Sequence, residues 1–350
     1  MFKFIAITLL FFTIALTSGY WYFSSLTYYK GPKSDHFNGK VFFNPYDSVK
    51  RPFSKFIQWQ LDRKPAKWPE HLEVEQYDIP PLSFDEGIRA SYVGHATVLL
   101  QVNGINILTD PIWSKRASAL WWFGPKRVID PGIKFDNLPK IDIVLISHNH
   151  YDHMDKRTIR ALVKRDNPKF IVPLGNDSIL KSFASDINVV ALDWFESIEY
   201  ESLQINIVPV LHWSSRLMVD RNKALWAGFV IETSAGNIYF SGDSGLESGK
   251  VYDLVREKFG DIKLSLIASA SYEPRWFMKP IHNNPDDAMI AFRKLNSKYA
   301  IAIHHGVFQV SDESYEQQKT DFAKALEDHG VSPETFRMMK VGEAWELIRN

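Results

Sequence analysis

From Ile88 to the C-terminus, short apolar runs alternate with amphipathic stretches of helical period. Apolar runs bounded by turn residues are typical of strands, and apolar positions three and four residues apart indicate helices. The stretches ASYVGHATVLLQV and INILTD, joined at Asn103-Gly104, predict two strands of an antiparallel pair. The continuous apolar run IDIVLI is typical of a strand buried on both faces. Further strands are predicted over 170–173, 189–192, 204–210, 225–232, 237–241, 264–268 and 299–304, and helices over 54–61, 156–165, 177–183, 250–259, 286–295 and 315–329.

Composition shifts divide the chain into three parts. Strands, hairpins and helices alternate over 89–350, which predicts one α/β domain with a mixed sheet. Residues 30–88 are rich in Pro, Lys, Asp and aromatic residues, which predicts an extended lead-in with one short helix. Residues 1–29 form the third part, because no charged side chain occurs from Phe4 to Tyr29.

The segment 1–29 is long and apolar enough to cross a bilayer as a helix. Its Trp and Tyr residues, among them Tyr28 and Tyr29, would form an interfacial aromatic belt. We therefore expect a retained membrane anchor, with a cleaved signal peptide as the alternative. Lysines lie on both sides of the segment, so its orientation stays open, and a periplasmic or extracytoplasmic catalytic domain is one option.

Charge and cysteine content exclude several classes of function. The chain has 41 basic and 41 acidic side chains, which argues against nucleic-acid binding through a bulk positive potential. Because the chain contains no cysteine, it has neither a disulfide nor a thiolate metal site. Any transition metal must therefore be bound by histidine and carboxylate.

Ligand-capable side chains follow several predicted strands at the point where each strand ends. The cluster His148-x-His150-x-Asp152-His153 comes directly after IDIVLI. Strand ends fix side chains on a rigid backbone while the following loops leave room for a substrate. A polar surface loop would not place three histidines within six residues directly after a buried strand. Other residues of this kind are His95, His212, Asp243, His304 and His305.

Counting these residues gives two complete ligand sets of the kind that zinc prefers. His148, His150 and His212 would serve one ion, and Asp152, His153 and His304 would serve the other, with Asp243 bridging the two. His304 and His305 face opposite sides of an extended strand, so spacing alone does not choose between them. Asp155 lies too far along the chain and is expected to cap the following helix.

The signature HxHxDH at 148–153 resembles that of the metallo-β-lactamase superfamily. The stretches GHATVLL, LTDPIW, GPKR, HWSSR, GDSG and YEPRWFMKPIH are similar to those of the N-acyl-phosphatidylethanolamine-hydrolysing phospholipase D family and its bacterial relatives, over residues 90 to 348. The resemblance implies a four-layer αβ/βα sandwich, with two mixed sheets flanked by helices and two zinc ions at one edge. It also favours His304 over His305 as the ligand, since that family carries a Trp at the second position.

The same resemblance implies roles for residues outside the two sets. Asp110 and Asp243 would be acidic residues of the catalytic centre, and His282 would face the substrate. Arg275 and Trp276 would join His282 in binding the substrate. The glutamine that the family carries before this histidine is Ile281 here, which leaves the headgroup contacts open.

Three functions follow from these features. The first is a di-zinc phosphodiesterase that cleaves N-acyl-phosphatidylethanolamine-like phospholipids to phosphatidic acid and N-acylethanolamine, by attack of a metal-bridging hydroxide. The second is a lactonase or β-lactamase-like hydrolase with the same centre. The third is a non-catalytic scaffold at a membrane, against which the complete ligand set argues. For the first, a phospholipid and a membrane surface are the expected partners, no nucleic acid is expected, and a homodimer is considered.

Overall fold

A computed structural model describes residues 25–47, 52–217 and 219–348. Within these ranges the chain builds two sheets of seven strands each, which are laid against one another. The first sheet contains β1 (Gly87–Gly94), β2 (Thr97–Val102), β3 (Ile105–Thr109), β4 (Ile143–Leu145), β5 (Lys169–Pro173), β6 (Val189–Leu192) and β14 (Ala344–Ile348). The second contains β7 (Ser197–Tyr200), β8 (Leu203–Val208), β9 (Gly228–Glu232), β10 (Asn237–Phe240), β11 (Ile262–Ala268), β12 (Tyr299–Ile303) and β13 (Phe336–Arg337).

Both sheets are mixed, and each is antiparallel on one side and parallel on the other. In the order β14-β1-β2-β3-β4-β5-β6, the pairs up to β3 are antiparallel and those from β3 to β6 are parallel. In the order β13-β12-β11-β10-β9-β8-β7, the pairs from β10 to β13 are parallel and the others are antiparallel. The carboxyl ends of the parallel strands therefore come to one edge, where loops can gather functional side chains.

Most helices pack on the outer faces of the two sheets, whereas the first and the fifth pack against one another. Their bounds are α1 Phe53–Asp62, α2 Lys156–Arg165, α3 Asn176–Phe183, α4 Lys250–Phe259, α5 Arg275–Met278, α6 Pro285–Lys294 and α7 Tyr315–Asp328. Alternation within the strands divides the apolar residues between layers: Ile301 and Ile303 of β12 lie in the core between the sheets, whereas Ala300 and Ala302 face the outer helices. The predicted α/β fold with a four-layer sandwich of two mixed sheets is therefore confirmed.

The stretch ASYVGHATVLLQV does not form the single strand that its apolar pattern predicts. β1 ends at Gly94 and β2 begins at Thr97, and the two strands pair antiparallel. His95 lies in the turn with a φ of +60°, a left-handed conformation that reverses the chain. Both strands are buried along their whole length, so the apolar pattern continues through the turn and conceals it. The short strands β7, β13 and β14 were also not predicted.

The predicted N-terminal membrane anchor is contradicted. Within the ranges that the structure describes, no helix is both long and apolar enough to cross a bilayer. Residues 1–24 of the predicted segment lie outside the described residues. At its described end, the aromatic residues expected in a membrane interface contact the folded domain instead. The hydroxyl of Tyr28 donates to Asp220 Oδ2 at 3.0 Å, and the ring of Tyr29 packs against Phe37 at 5.0 Å between centroids. The domain boundaries near 29 and 88 stay predictions.

Candidate metal centre

The side chains singled out in the sequence meet at the edge where the parallel strands end. The HxHxDH segment follows β4, and Asp110 follows β3 in the same sheet. From the second sheet, His212 comes after β8, Asp243 after β10, and His304 directly after β12. Asp155 ends the segment as the N-cap of α2, where its carboxylate accepts a hydrogen bond from Arg157 N–H, as predicted. Two sheets thus contribute to one cluster.

The first predicted ligand set converges on one point. His148 Nε2 lies 2.8 Å from His150 Nδ1, and His212 Nε2 lies 3.3 Å from the same atom. His148 and His212 are buried, and His150 is partly exposed. The predicted second set converges as well. Asp152 Oδ2 lies 3.5 Å from both His153 Nε2 and His304 Nε2.

Asp243 lies between the two sets. Its Oδ2 is 3.2 Å from the Nε2 atoms of both His153 and His304 in the second set. The same oxygen is 3.7 Å from His212 Nε2 and 4.0 Å from His148 Nε2 in the first set. Asp243 Oδ2 therefore lies close to histidines of both ligand sets, where a carboxylate that bridges two metal ions would lie.

Asp110 holds two of the histidines rather than joining the cluster directly. Its Oδ2 accepts from Ser147 Oγ at 2.5 Å and from His153 Nδ1 at 2.6 Å, while Oδ1 accepts from Ser147 N–H at 2.7 Å. Because the Ser147 hydroxyl donates its only hydrogen to Asp110, its oxygen must accept from His148 Nδ1, 2.9 Å away. Both His148 and His153 are thereby held protonated at Nδ1, with the Nε2 lone pair towards the cluster.

His212 and His304 are oriented in the same way. His212 Nδ1 donates to the carbonyl of Ile281 at 3.0 Å, and His304 Nδ1 lies 3.1 Å from Ser271 Oγ. Such partners fix the tautomer and ring direction of metal-binding histidines. Ile281 therefore contributes its backbone carbonyl to the site, and its side chain is buried.

These residues fit a pair of divalent cations. The Nε2 lone pairs of His148 and His212 both point at His150 Nδ1, an arrangement that is repulsive unless a cation or a proton lies between them. Across the described ranges, His153 Nε2, His304 Nε2 and Asp243 Oδ1 are buried without a hydrogen-bond partner. Buried polar atoms without a partner are costly, and a metal ion would satisfy them. Histidine and carboxylate are ligands that zinc accepts.

The charges of the cluster also favour bound cations. Burial and the neighbouring histidines hold the pKa of His148 well below its ordinary value, and burial lowers that of His150 to about 4. Burial alone would raise the pKa of Asp243, but the adjacent His153 and His304 hold it well below its usual range. Burial likewise lowers the pKa of His304, but Asp243 and Asp152 outweigh it and raise the value to about 9. Asp243 is therefore ionised beside the neutral His148 and His150, and His304, with its raised pKa, holds a proton at neutral pH that a bound cation would displace.

Of the predicted substrate-binding residues, only His282 reaches the cluster. Its Nδ1 lies 3.9 Å from Asp243 Oδ2, and its ring is 5.2 Å from that of His212. Arg275 donates to the carbonyl of His282 at 3.0 Å and forms an ion pair with Asp287, so it supports the loop. The neighbouring Trp276 is 49% exposed, beside Lys55 of α1.

The structure distinguishes His304 from two nearby histidines, His305 and His95. His305 stacks on Tyr92 with ring centroids 4.8 Å apart, outside the ligand sets. His95 lies beneath the second set, where its Nε2 is 3.0 Å from Asp152 Oδ2. His95 was expected at the end of a strand, whereas it lies in the turn between β1 and β2.

Three residues beside the cluster were missed by the sequence analysis. Arg216 donates to the carbonyls of Asn149 and Met154, each at 2.9 Å, and therefore braces the HxHxDH loop. Trp213 packs against His150 with ring centroids 4.5 Å apart, and the guanidinium of Arg221 lies 4.8 Å above the Trp213 ring. The stretch HWSSR was noticed for its similarity, but its spacing gave no sign of these contacts.

Comparisons with known proteins agree with the fold and indicate the family. Residues 105–305 match the family described as the beta-lactamase superfamily domain. The "N-acyl-phosphatidylethanolamine-hydrolyzing phospholipase D 1" of Caenorhabditis elegans is 34% identical over 287 residues, covering 79% of this chain and 80% of that protein. The mitochondrial protein of that name from Saccharomyces cerevisiae is 34% identical over 65% of this chain, but this chain covers only 50% of it. An isothiocyanate hydrolase from Delia radicum gut bacteria shares the fold, with a TM-score of 0.60, 18% identity, and coverage of 74% of this chain and 99% of that chain.

The chain therefore belongs to the metallo-β-lactamase superfamily. Within it, the chain is homologous to proteins named as N-acyl-phosphatidylethanolamine-hydrolysing phospholipases D. A 27% identical relative from Methanopyrus kandleri is named as a metal-dependent hydrolase. The predictions of superfamily and of an enzyme of the metal-dependent hydrolase class are confirmed.

Proposed function

We propose that this protein is a di-zinc phosphodiesterase of the phospholipase D type that acts on N-acyl-phosphatidylethanolamine-like lipids. The observation that carries the proposal is the position of Asp243, whose single oxygen lies 3.2 to 4.0 Å from histidines of both ligand sets. His148, His150 and His212 would hold one ion, and Asp152, His153 and His304 the other. Two divalent ions in this position would supply Lewis acidity and a nucleophile derived from water at neutral pH.

The chain's own residues prepare the centre for a phosphoryl group. Ionised Asp243 keeps both ligand sets at a fixed separation, and Asp110 keeps the Nε2 atoms of His148 and His153 directed at the centre. His282 lies at the rim, where its ring can contact an oxygen of a substrate bound beside Asp243. Arg221 lies over the ring of Trp213, which packs against His150, and so places a positive charge near the cluster.

The substrate class rests on homology. Two relatives that are 34% identical to this chain carry the name of a phospholipase D that hydrolyses N-acyl-phosphatidylethanolamine. The similarity covers 79% of this chain in the first case. The superfamily match at 105–305 spans every residue of the two ligand sets. The predictions of a membrane surface as a partner and of a homodimer remain predictions.

A lactonase or β-lactamase-like hydrolase is the second candidate, and one observation favours it. Arg275, the cation predicted to bind the substrate phosphate, is engaged by Asp287 and by the His282 carbonyl. A carbonyl substrate needs no such cation, because the same centre stabilises one developing oxyanion.

A defined substrate panel tests the two candidates against one another. The purified enzyme would be incubated with N-acyl-phosphatidylethanolamine, phosphatidylcholine, an acyl lactone and a β-lactam, with and without chelator. We expect chelator-sensitive release of phosphatidic acid from the first lipid, measured by mass spectrometry, and its loss in Asp243→Asn. Turnover of the lactone or the β-lactam alone would select the second candidate, and turnover that survives complete metal removal would refute both.

A further inference from the structure

A hairpin-like loop over 111–129 leaves the first sheet at the edge that carries the metal centre. The loop begins directly after Asp110, the residue that holds two of the metal-binding histidines. Its two arms run beside one another, and Ala117 N–H donates to the carbonyl of Pro125 at 3.0 Å. The loop is therefore an ordered projection whose tip lies between these two residues.

The base of the loop is fixed to the segment that follows His304. Arg127 pairs with Phe308 in an isolated antiparallel bridge, and Val128 N–H donates to the carbonyl of Val307 at 3.0 Å. The buried guanidinium of Arg127 donates to three backbone carbonyls of the loop itself, at 2.7 to 3.4 Å. The tip therefore has a defined position beside the metal-bearing edge.

The tip presents large apolar side chains to solvent. Four consecutive residues are between 45% and 73% exposed, namely Leu120, Trp121, Trp122 and Phe123. In the part of the chain that the structure describes, no other run of large exposed apolar side chains is longer than two residues. Gly124 closes the tip with a φ of +95°, where a Cβ atom would lie 2.7 Å from Ser118 Cβ. An apolar patch held out on a tight turn indicates an interaction surface.

The arms beside this tip are cationic. Residues 111–129 contain no Asp or Glu, and their four basic side chains are Lys115, Arg116, Lys126 and Arg127. Lys115 and Lys126, one on each arm, are exposed. Because the chain as a whole has equal numbers of acidic and basic side chains, this positive charge is a local feature of the loop.

Neighbouring elements leave the positive charge of the loop in place. The lead-in passes its base, and residues 64–73 hold two lysines and two glutamates. Asp312, beyond Phe308, is paired with Arg63 at 2.8 Å. Asp130, which follows the loop, is exposed and offsets one of its four cations. The net charge at this position is therefore positive.

The size of the tip favours a bilayer over a protein partner. Three aromatic side chains at these exposures offer about 300–500 Å² of surface, since a fully covered aromatic side chain buries about 150–250 Å². A stable protein interface covers about 800 Å² on each partner. Trp rings at head-group level, with Lys and Arg beside them, are by contrast a common means of attachment to a bilayer surface.

We propose that the loop 111–129 docks on the surface of an anionic lipid bilayer. Residues 120–123 enter the head-group region, and Lys115 and Lys126 lie against anionic head groups. Since the loop leaves the sheet at the metal-bearing edge, docking turns that edge towards the lipid. The docking does not depend on which substrate the metal centre hydrolyses.

A single fluorophore at the tip tests this proposal. The chain has no cysteine, so Ala119→Cys, at an exposed position beside the aromatic residues, can carry one environment-sensitive dye. Glu257→Cys is the matched position, because it is exposed near the end of α4, before β11 begins at the edge away from the metal centre. The metal-loaded proteins would be titrated with phosphatidylcholine vesicles that contain a nitroxide-labelled lipid, with and without phosphatidylglycerol. We expect quenching of the dye at 119 and not at 257, at lower lipid concentration when phosphatidylglycerol is present.

Aromatic variants in the Ala119→Cys protein test the tip itself. The triple change Trp121→Ser, Trp122→Ser and Phe123→Ser should raise the lipid concentration for half of the quenching about tenfold or more, because burial of one such side chain already corresponds to about a tenfold change. The matched control is Ile79→Ser with Leu82→Ser. Both side chains are exposed, and the Leu82 carbonyl accepts from Asn106 at the start of β3, away from the metal-bearing edge. This control should be quenched as its parent is.

Lysine variants in the same protein test the charge. Lys115→Gln with Lys126→Gln should raise the concentration of anionic lipid that is needed by about fivefold for each lysine, and should leave the response to phosphatidylcholine alone unchanged. Lys263→Gln with Lys298→Gln removes the same charge at the edge where β11 and β12 begin, and should have no effect.

Four results would overturn the proposal. They are no quenching at 119 by either kind of vesicle, equal quenching at 257, a triple variant that responds as the Ile79 and Leu82 control does, and a lysine pair without effect on anionic vesicles. A change of the dye at 119 with protein concentration, in the absence of vesicles, would assign the tip to a second copy of the chain and would also overturn it. Because the dye is read without turnover, the outcome is separate from that of the substrate panel.

Discussion

Replacement of Asp110 by asparagine should remove metal from the second ligand set. The asparagine side chain would have nearly the same size, but its amide nitrogen cannot accept a hydrogen bond where the carboxylate now accepts from His153 Nδ1 at 2.6 Å. The imidazole would then favour the tautomer protonated at Nε2, and its lone pair would no longer face Asp243 and His304.

The magnitude follows from the bond that is lost. A hydrogen bond to a charged group is worth about 1.5–3 kcal/mol, which corresponds to a change of roughly 10- to 150-fold in an equilibrium constant. Loss of a partner that orients a metal-binding histidine typically weakens metal binding by about 10- to 100-fold, which is the same range. We therefore expect Asp110→Asn to bind its weaker zinc equivalent about 10- to 100-fold less tightly.

Zinc content after equilibration in a series of zinc buffers measures this change. Asp142→Asn is the matched control, because Asp142 precedes β4 at the end away from the centre, where it accepts from Asn106 N–H at 2.9 Å. The control should bind the same amount of zinc, with the same affinity, as the wild type. The reasoning fails if Asp110→Asn keeps both equivalents at wild-type affinity, or if Asp142→Asn loses zinc to the same degree.

Three further outcomes are expected. Arg216→Lys should lower turnover about tenfold or more while unfolding changes little, because the lysine side chain is shorter than the arginine, whose Nη1 now donates to the carbonyls of both Asn149 and Met154. Steady-state kinetics and thermal unfolding measure this, and unchanged turnover would contradict it. Leu108→Ala, at a fully buried position, should lower the free energy of unfolding by about 2–5 kcal/mol in urea titrations, and a loss below about 1 kcal/mol would be inconsistent with its packing. Burial lowers the pKa of His36, but hydrogen bonds to Asp193 and Asp35 outweigh burial and raise it above 6.5. The stabilisation of the folded state by protonated His36 is therefore complete below pH 6.5 and is lost as the pH rises through the raised pKa. Asp193→Asn should make the unfolding midpoint depend less on pH over this range.

The ligand sets could be predicted because strand ends and residue chemistry are visible in a sequence. A buried apolar run followed by HxHxDH places the side chains of 148–153 at the end of a strand. His212, Asp243 and His304 each follow an apolar run in the same way. Since parallel strands of both sheets end at one edge, any fold of this class must bring such residues together.

The choice between His304 and His305 depended on backbone geometry that no periodicity contains. Alternation shows that two successive residues of a strand point to opposite faces, but not which face holds the metals. In the structure, His304 lies just beyond β12 with a φ of +70°, so the strand has already ended and alternation no longer applies. The same local reversal at His95 ended β1 early, and both positions lie at the cluster.

Partners of charged side chains could not be predicted either, because they are set by packing between distant elements. Arg275 looked available for a phosphate in the sequence, but α5 and α6 bring Asp287 beside it. Arg221 drew no attention in the sequence, but the loop after β8 places it over Trp213, which packs against His150. If a phosphate is the substrate group, Arg221→Gln should therefore raise KM more than Arg275→Gln does. A reversed order would show that Asp287 releases Arg275 when substrate binds.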